Sequence, residues 1–332
     1  METIKQMSQP RFTIAGAEIV ANEAGRNCSA PAVTVLITLY NYSAYIEGCL
    51  DSVRASHAKD LPGGFEVVVV DDASTDNSAA LVEKYLQTHS MPVCLIKKTV
   101  NAGVADARNL GLLAALAPLV FILDADNEIR PECLAAHYQA LASSDYALVY
   151  GPINRFDEVT RQSLGLMSNH DWNVRDLVSR PCVDAMAMFK KEAVLSVGGY
   201  STEYQMILRP GWEDYDLCLK LAQAGYAGKK LPQVLSDYRS HSQSMIRSTK
   251  PFQRELAAYF CRKFFALVQQ HHDLPDFFGV SWKELAIIND SGAELATPPQ
   301  GKTTKFIHRL LGKKMSRSIC KRFAAAYCWL HP

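Results

Sequence analysis

No two of the nine cysteines (Cys28, Cys49, Cys94, Cys133, Cys182, Cys218, Cys261, Cys320 and Cys328) form a C-x-x-C pair. Their scatter speaks against a zinc ribbon and against the disulfide framework of a small secreted domain. Thiols so placed are expected to be buried as small hydrophobes. Long apolar runs are missing as well. The longest uncharged apolar stretch, Leu110 to Leu123, has 14 residues and is broken by Pro118, short of the roughly 20 that cross a bilayer. The first thirty residues hold only short apolar groups such as Ile14-Ala15 and Ile19-Val20, so no secretory signal is expected and a cytoplasmic location is. No strand-like segment is followed by G-x-G-x-x-G, which weighs against a dinucleotide-binding dehydrogenase, and no G-x-S-x-G elbow marks a serine hydrolase. Gly301-Lys302-Thr303 looks like the end of a phosphate loop, but Ala296 stands where its first glycine would be and Pro298-Pro299 intervene.

Negative charge is absent from one region. Between Gly301 and Pro332 there are eight Lys or Arg and no Asp or Glu, which leaves 27 basic against 34 acidic side chains in residues 1–300. An acidic body with a basic tail does not suit a general nucleic-acid binder, whose basic surface belongs to the folded domain. On the tail, Ile307, Leu311, Met315, Ile319, Phe323 and Tyr327 recur every four residues among Lys and Arg, with Trp329 near the end. The spacing suits a helix lying on an anionic membrane or, equally, one packed on the acidic body.

What is present is an ordinary globular composition: 332 residues, 48% hydrophobic and 21% charged, enough for one large domain or two modest ones. From Pro31 onward short β-branched runs alternate with helix-period segments, the pattern of an α/β domain with a largely parallel sheet. Strands are expected at Val33–Leu39, Phe65–Val70, Val93–Ile96, Leu119–Leu123 and Tyr146–Tyr150. The unbroken valines from Val67 to Val70 suggest burial on both faces. Helices are expected after Ser43, with Ile46, Cys49, Leu50 and Val53 inward, after Asp76 or Ser78, from about Gly103 to Leu116, over Pro131–Ala142, over Glu213–Ala224, over 251–270 and over Thr304–Trp329. Residues 152–183 show no periodicity that fixes their structure.

Ligands of parallel α/β sheets bind outside the carboxyl ends of the strands, and here those ends carry carboxylates. Asp71-Asp72 follows the second expected strand and Asp124-Ala125-Asp126 the fourth. The first pair could equally solvate or cap a loop. In Asp124-x-Asp126 an extended backbone sends both side chains to one side, which suits a hard divalent cation. Asp214-Tyr215-Asp216 has the same spacing, but in a first helical turn i and i+2 diverge, and acidic residues there also favour the helix dipole.

Six segments in order then resemble family 2 glycosyltransferases of the GT-A fold: VTVLITLYN from Val33 to Asn41, VVVDDASTD from Val68 to Asp76, NAGVADARN from Asn101 to Asn109, FILDADN from Phe121 to Asn127, GGY from Gly198 to Tyr200, and WEDYD from Trp212 to Asp216. The resemblance covers about residues 31–245. It implies a Rossmann-like, mostly parallel sheet flanked by helices, with a helical C-terminal extension. It implies transfer of a sugar, with inversion, from a nucleotide-diphosphate sugar, a UDP-sugar by preference, to the hydroxyl of a glycan, lipid-linked or other acceptor, as in cell-surface glycan or glycolipid synthesis. Thr38, Tyr40, Asp72, Asn101, Arg108, Asp124, Trp212 and Glu213 would bind the donor, Thr38 and Asp72 at the base and Arg108 at the base or diphosphate. Asp126 with Asp124 and His241 would hold Mg²⁺ or Mn²⁺, and Asp214 would be the general base. The resemblance marks 31–245 as the catalytic domain, which leaves an N-terminal extension (1–30), a helical extension and linker (246–300) and a basic amphipathic helix (301–332) open to peripheral membrane contact or to packing on the catalytic domain.

The processive members' Gln-x-x-Arg-Trp does not follow Asp216, which favours single additions. A sugar nucleotidyltransferase is the alternative enzyme, but it needs a glycine-rich phosphate loop after the first strand, and the turn from Thr38 to Ser43 has no glycine. A non-catalytic binding protein of the same fold is the alternative outside enzymes.

Overall fold

The computed structural model describes residues 16–203, 211–241, 253–271 and 273–285. The linker expected at 291–304 and the basic helix of 301–332 lie outside these. The strands are β1 (Ala17–Ala21), β2 (Val33–Leu39), β3 (Phe65–Asp71), β4 (Val93–Lys98), β5 (Leu119–Asp124), β6 (Glu128–Ile129), β7 (Leu148–Tyr150), β8 (Ile153–Asp157), β9 (Ser163–Met167), β10 (Ala187–Lys190), β11 (Gly228–Lys230) and β12 (Ser236–Ser240), with a short hairpin of β13 (Asp276–Phe277) and β14 (Val280–Ser281). The helices are α1 (Glu23–Asn27), α2 (Ile46–Arg54), α3 (Ser78–Thr88), α4 (Val104–Ala114), α5 (Cys133–Leu141), α6 (Val174–Ser179), α7 (Lys191–Ser196), α8 (Glu213–Gln223), α9 (Gln253–Lys263) and α10 (Phe265–Gln269).

The central sheet has eight strands in the order β1-β4-β3-β2-β5-β10-β7-β11. β4, β3, β2 and β5 are mutually parallel, β10 runs against both β5 and β7, and β11 runs with β7. Only β1 and β10 therefore oppose the rest. Every residue of β2 and β3 is buried, because helices cover both faces of a parallel sheet and leave no side for polar alternation. On α2 the buried residues are Ile46, Cys49, Leu50 and Val53, the stripe read from the sequence. Tyr45 rather than Ser43 precedes this helix; the Ser43 amide donates to Asp76 Oδ2 at 3.1 Å instead. Helix α4 lies close on β2 at Gly111, where a Cβ would come within 2.0 Å of Leu36 Cδ1.

Part of the N-terminal extension belongs to the sheet: β1 pairs antiparallel with β4, Ala17 opposite Lys98 through Ala21 opposite Cys94. The unpatterned stretch 152–183 holds the β8–β9 hairpin and α6. With β6 and β12 that hairpin builds a second sheet, in the order β6-β12-β8-β9. Its pairing of Asp237 with Glu128 and Ser236 with Ile129 ties the chain before His241 to the turn that leaves β5.

Candidate active site

The strand order turns outward on either side of the β2–β5 pair, and in such sheets the crevice outside the carboxyl ends at this point receives the ligand. Thr38 closes β2 and Asp124 closes β5; they are register partners, and the Thr38 hydroxyl donates to Asp124 Oδ1 at 3.5 Å. A cavity of about 570 Å³ opens there, lined by Thr38, Tyr40, Asp72, Asn101, Asp124 and Asp126 among others, a size that suits a cofactor-like ligand.

Asp72, after β3, is buried and receives the backbone N–H groups of Ala102 at 3.0 Å and Gly103 at 2.7 Å, with Lys98 Nζ on the same carboxylate. Lys98 also reaches Asp106. The carboxylate thus fixes the loop that opens α4, and of its roughly four acceptor sites one is left for a ligand.

Asp126 is buried, with Oδ2 at 2.8 Å from His241 Nε2. Burial pushes its pKa up, the hydrogen bond from His241 pulls it down, and the charge of Asp124 pushes it up further. Arg239 holds the same turn from β12: its backbone N–H donates to Asn127 Oδ1 and its Nε to the Asp126 carbonyl, both at 2.9 Å, while its guanidinium lies over the rings of Tyr45 and Phe156. Of the three residues expected on a cation, Asp126 and His241 touch each other, and among the described residues no group of three or more His, Cys, Asp or Glu that could hold a metal ion is found. Asp124 instead turns to Thr38 and Arg108.

A second cavity, of about 340 Å³, shares Asp124 and Tyr238 with the first and is lined further by Arg108, Asp184, Trp212, Glu213 and Asp214. The donor residues expected from sequence are therefore divided. Thr38, Tyr40, Asp72, Asn101 and Asp124 line the first cavity; Arg108, Trp212, Glu213 and again Asp124 line the second. Arg108 is 1% exposed, with Nη1 donating to Glu213 Oε1 at 2.6 Å and Nη2 to Asp124 Oδ1 at 2.8 Å. Burial disfavours its charge, but the two carboxylates more than offset this and raise its pKa. The guanidinium, expected at the base or diphosphate, bridges β5 and the head of α8. Trp212 precedes that helix with φ +69°, a left-handed conformation that costs on the order of 1 kcal/mol or more for a bulky residue.

Asp214 is half-buried, and its one hydrogen bond among the described residues comes from the Tyr215 N–H. Burial, then the charges of Glu213 and Asp184, hold its carboxyl well above the usual range, against the opposing pull of Arg108. Asp184 is itself pushed up to about 6, by burial first. The sequence reading missed Asp184, Lys98 and Arg239. For Asp184 there was a signal: one carboxylate inside the apolar run from Cys182 to Phe189. A larger cavity, of about 770 Å³, lies at the opposite ends of the strands; its charged side chain, Arg54, is paired with Asp51.

The mostly parallel sheet, with carboxylates where β3 and β5 end and an acidic head on α8, has the GT-A fold. Residues 34–197 match the model of glycosyl transferase family 2, and the domain they form belongs to that family. The teichoic acid poly(glycerol phosphate) polymerase of Staphylococcus epidermidis is 30% identical over 124 residues, 37% of this chain and 16% of that protein, so the chain spans a small part of that relative's length. S. aureus TarS 1-349 in complex with UDP-GlcNAc superposes with TM-score 0.56 at 17% identity, over 72% of this chain and 71% of that one. Mannosyltransferase PcManGT from Pyrobaculum calidifontis, in complex with GDP-Man and Mn²⁺, superposes with TM-score 0.53 at 21% identity, over 98% and 86%. These likenesses show the fold.

Proposed function

We propose that the chain transfers a sugar, with inversion, from a UDP-sugar to an acceptor hydroxyl, and that Asp214 is its general base. The observation that carries this reading is the placement of Asp214: a carboxylate with a raised pKa, in a cavity that shares Asp124 with the crevice at the β2 and β5 ends. The acceptor oxygen bonds to the anomeric carbon, the bond from that carbon to the diphosphate oxygen breaks, and Asp214 takes the acceptor's proton. A base whose pKa lies near neutrality is suited to that transfer. Attack from the side opposite the leaving group inverts the anomeric centre.

Donor binding falls to Thr38, Tyr40, Asp72 and Asn101, with Asp72 keeping one acceptor site for an N–H of the base. Asp124 and Asp126 fit a divalent cation, since hard cations of the Mg²⁺ type take one or two protein carboxylates and complete their shell with phosphate and water. Mg²⁺ or Mn²⁺ bound there would neutralise charge on the departing diphosphate. His241 orients Asp126, as the outer partners of metal carboxylates do. Trp212 and Glu213 stand with Arg108 on the acceptor side. The family's work on surface polymers supports a glycan or lipid-linked acceptor, and the basic stretch 301–332 supports peripheral membrane contact. No helix among the described residues is long and apolar enough to cross a membrane.

The test is a panel of UDP- and GDP-sugars read by thermal shift with and without Mn²⁺, because a ligand of the native state raises its stability. Stabilising donors are then assayed for turnover and for the anomeric configuration of the product. Retention of configuration, or no donor that is both bound and turned over, refutes the reading.

A further inference from the structure

The acceptor-side cavity carries four carboxylates, Asp124, Asp184, Glu213 and Asp214, against one arginine. Arg108 pairs with Glu213 and Asp124 through its two Nη atoms, while its buried Nε has no hydrogen-bond partner among the described residues. Asp184 and Asp214 form no ion pair with a basic side chain among the described residues. Asp184 accepts one hydrogen bond among the described residues, from the Met186 N–H to Oδ1 at 3.0 Å, so Oδ2 has no protein donor there. Asp184 sits on the strap that enters β10, and Asp214 in the first turn of α8. Their only common feature is the cavity both line.

Carboxylates that face a site without protein donors are satisfied by donors on the ligand. Two of them lining one cavity can take two neighbouring hydroxyls of one ligand. A phosphate or carboxylate at the same place would meet like charge, with the paired Arg108 and His170 the basic side chains of the described lining. Trp212, whose ring meets Phe278 edge-on at 5.1 Å, adds an apolar wall to the cavity, as sugar rings require. We propose that Asp184 binds the acceptor directly, taking the hydroxyl adjacent to the one that reacts, and that the acceptor's reacting end is a neutral sugar with vicinal hydroxyls. This rests on the glycosyltransferase reading above.

The experiment uses the full chain and whichever of UDP-GlcNAc, UDP-glucose, UDP-galactose and GDP-mannose it turns over. Hydrolysis of the donor by water reports the function without an acceptor. Methyl glucoside, methyl galactoside and methyl mannoside, their monodeoxy analogues and glucose 6-phosphate report the acceptor site. Wild type is expected to glycosylate at least one neutral pyranoside, and removal of the hydroxyl next to the reacting one should raise the acceptor KM about ten-fold or more, the scale of one hydrogen bond to a charged group. Asp184→Asn keeps an oxygen for the Met186 N–H and should raise that KM by a similar factor. On Asp184→Asn and Asp184→Ala the deoxy analogue should lose little further, because the two deletions remove one interaction. An unchanged acceptor KM in both variants overturns the inference, as does a preference for glucose 6-phosphate or donor hydrolysis with no transfer to any neutral pyranoside. If no donor is hydrolysed or transferred at all, the functional reading itself fails and the inference falls with it.

Discussion

At the scale of single residues, the two roles assigned to carboxylates separate by measurement. Asp214→Asn preserves shape and leaves the donor crevice intact, so nucleotide affinity should hold while transfer drops roughly 10²-fold or more, the scale of a lost proton transfer. Asp126→Ala removes the carboxylate that His241 and Arg239 position, so Mn²⁺-dependent binding of UDP should weaken together with turnover. Calorimetric titration beside a transfer assay reads both, and a wild-type rate in Asp214→Asn, or unchanged metal-dependent binding in Asp126→Ala, removes the corresponding assignment. The pH profile carries a further sign. Asp214 works as a base only when ionised, and burial, Glu213 and Asp184 raise its pKa while Arg108 lowers it; the rate should therefore rise with pH above the ordinary carboxylate range. Neutralising Asp184 in Asp184→Asn removes one raising charge and should move that rise to lower pH. The positions of Asp72, Asp124, Asp126 and Asp214 were legible because each stands at or just after a strand end or in a first helical turn, places that sequence pattern marks. The Arg108 bridge was not, since Arg108 and Glu213 are 105 positions apart and nothing local in either segment names the partner.

At the scale of elements, legibility followed burial. The runs of β2, β3 and β5 are apolar because both faces are covered, and α2 showed its stripe because one face is. β1 stayed hidden: five residues with Glu18 among them, none fully buried, make a weak edge signal. The β8–β9 hairpin stayed hidden because β9 is exposed along four of its five residues and pairing, not pattern, makes it a strand. Helix α5 supports a prediction of its own. His137 is buried on it, with Nδ1 at 2.8 Å from the Cys133 carbonyl, its edge against the Phe121 ring and Nε2 without a partner among the described residues. Burial lowers its pKa from 6.5 to about 4. Below pH 6.5 the unfolded chain binds a proton that the folded chain refuses, so stability should be full above that pH and fall as pH drops toward 4, by on the order of 3 kcal/mol in total. Chemical melts of wild type and His137→Leu at stepped pH check this. The leucine variant should show a shallower loss across that interval, and parallel curves would mean that the proton goes elsewhere.

At the scale of the whole molecule, the second sheet exists to bring a late segment back to an early one: β12 pairs with β6, and that pairing delivers His241 to Asp126 across 115 positions. The charge distribution works at the same scale. Residues 1–300 carry a net excess of seven carboxylates, 34 against 27 basic side chains, while 301–332 carry eight basic residues and no acidic one. An anionic lipid surface therefore repels the body and attracts the tail, whose basic residues contribute about 1 kcal/mol each near such a surface and whose apolar positions add burial in the interface. The full chain should pellet with vesicles containing phosphatidylserine and stay in solution with phosphatidylcholine alone. Raising the salt from about 0.05 M to about 0.5 M shortens the Debye length well below 10 Å and should release it. Replacing Lys313, Lys314, Lys321 and Arg322 with glutamine should do the same at low salt while donor hydrolysis continues at the wild-type rate. Equal pelleting of wild type and this variant on anionic vesicles would remove the basic tail as the membrane contact.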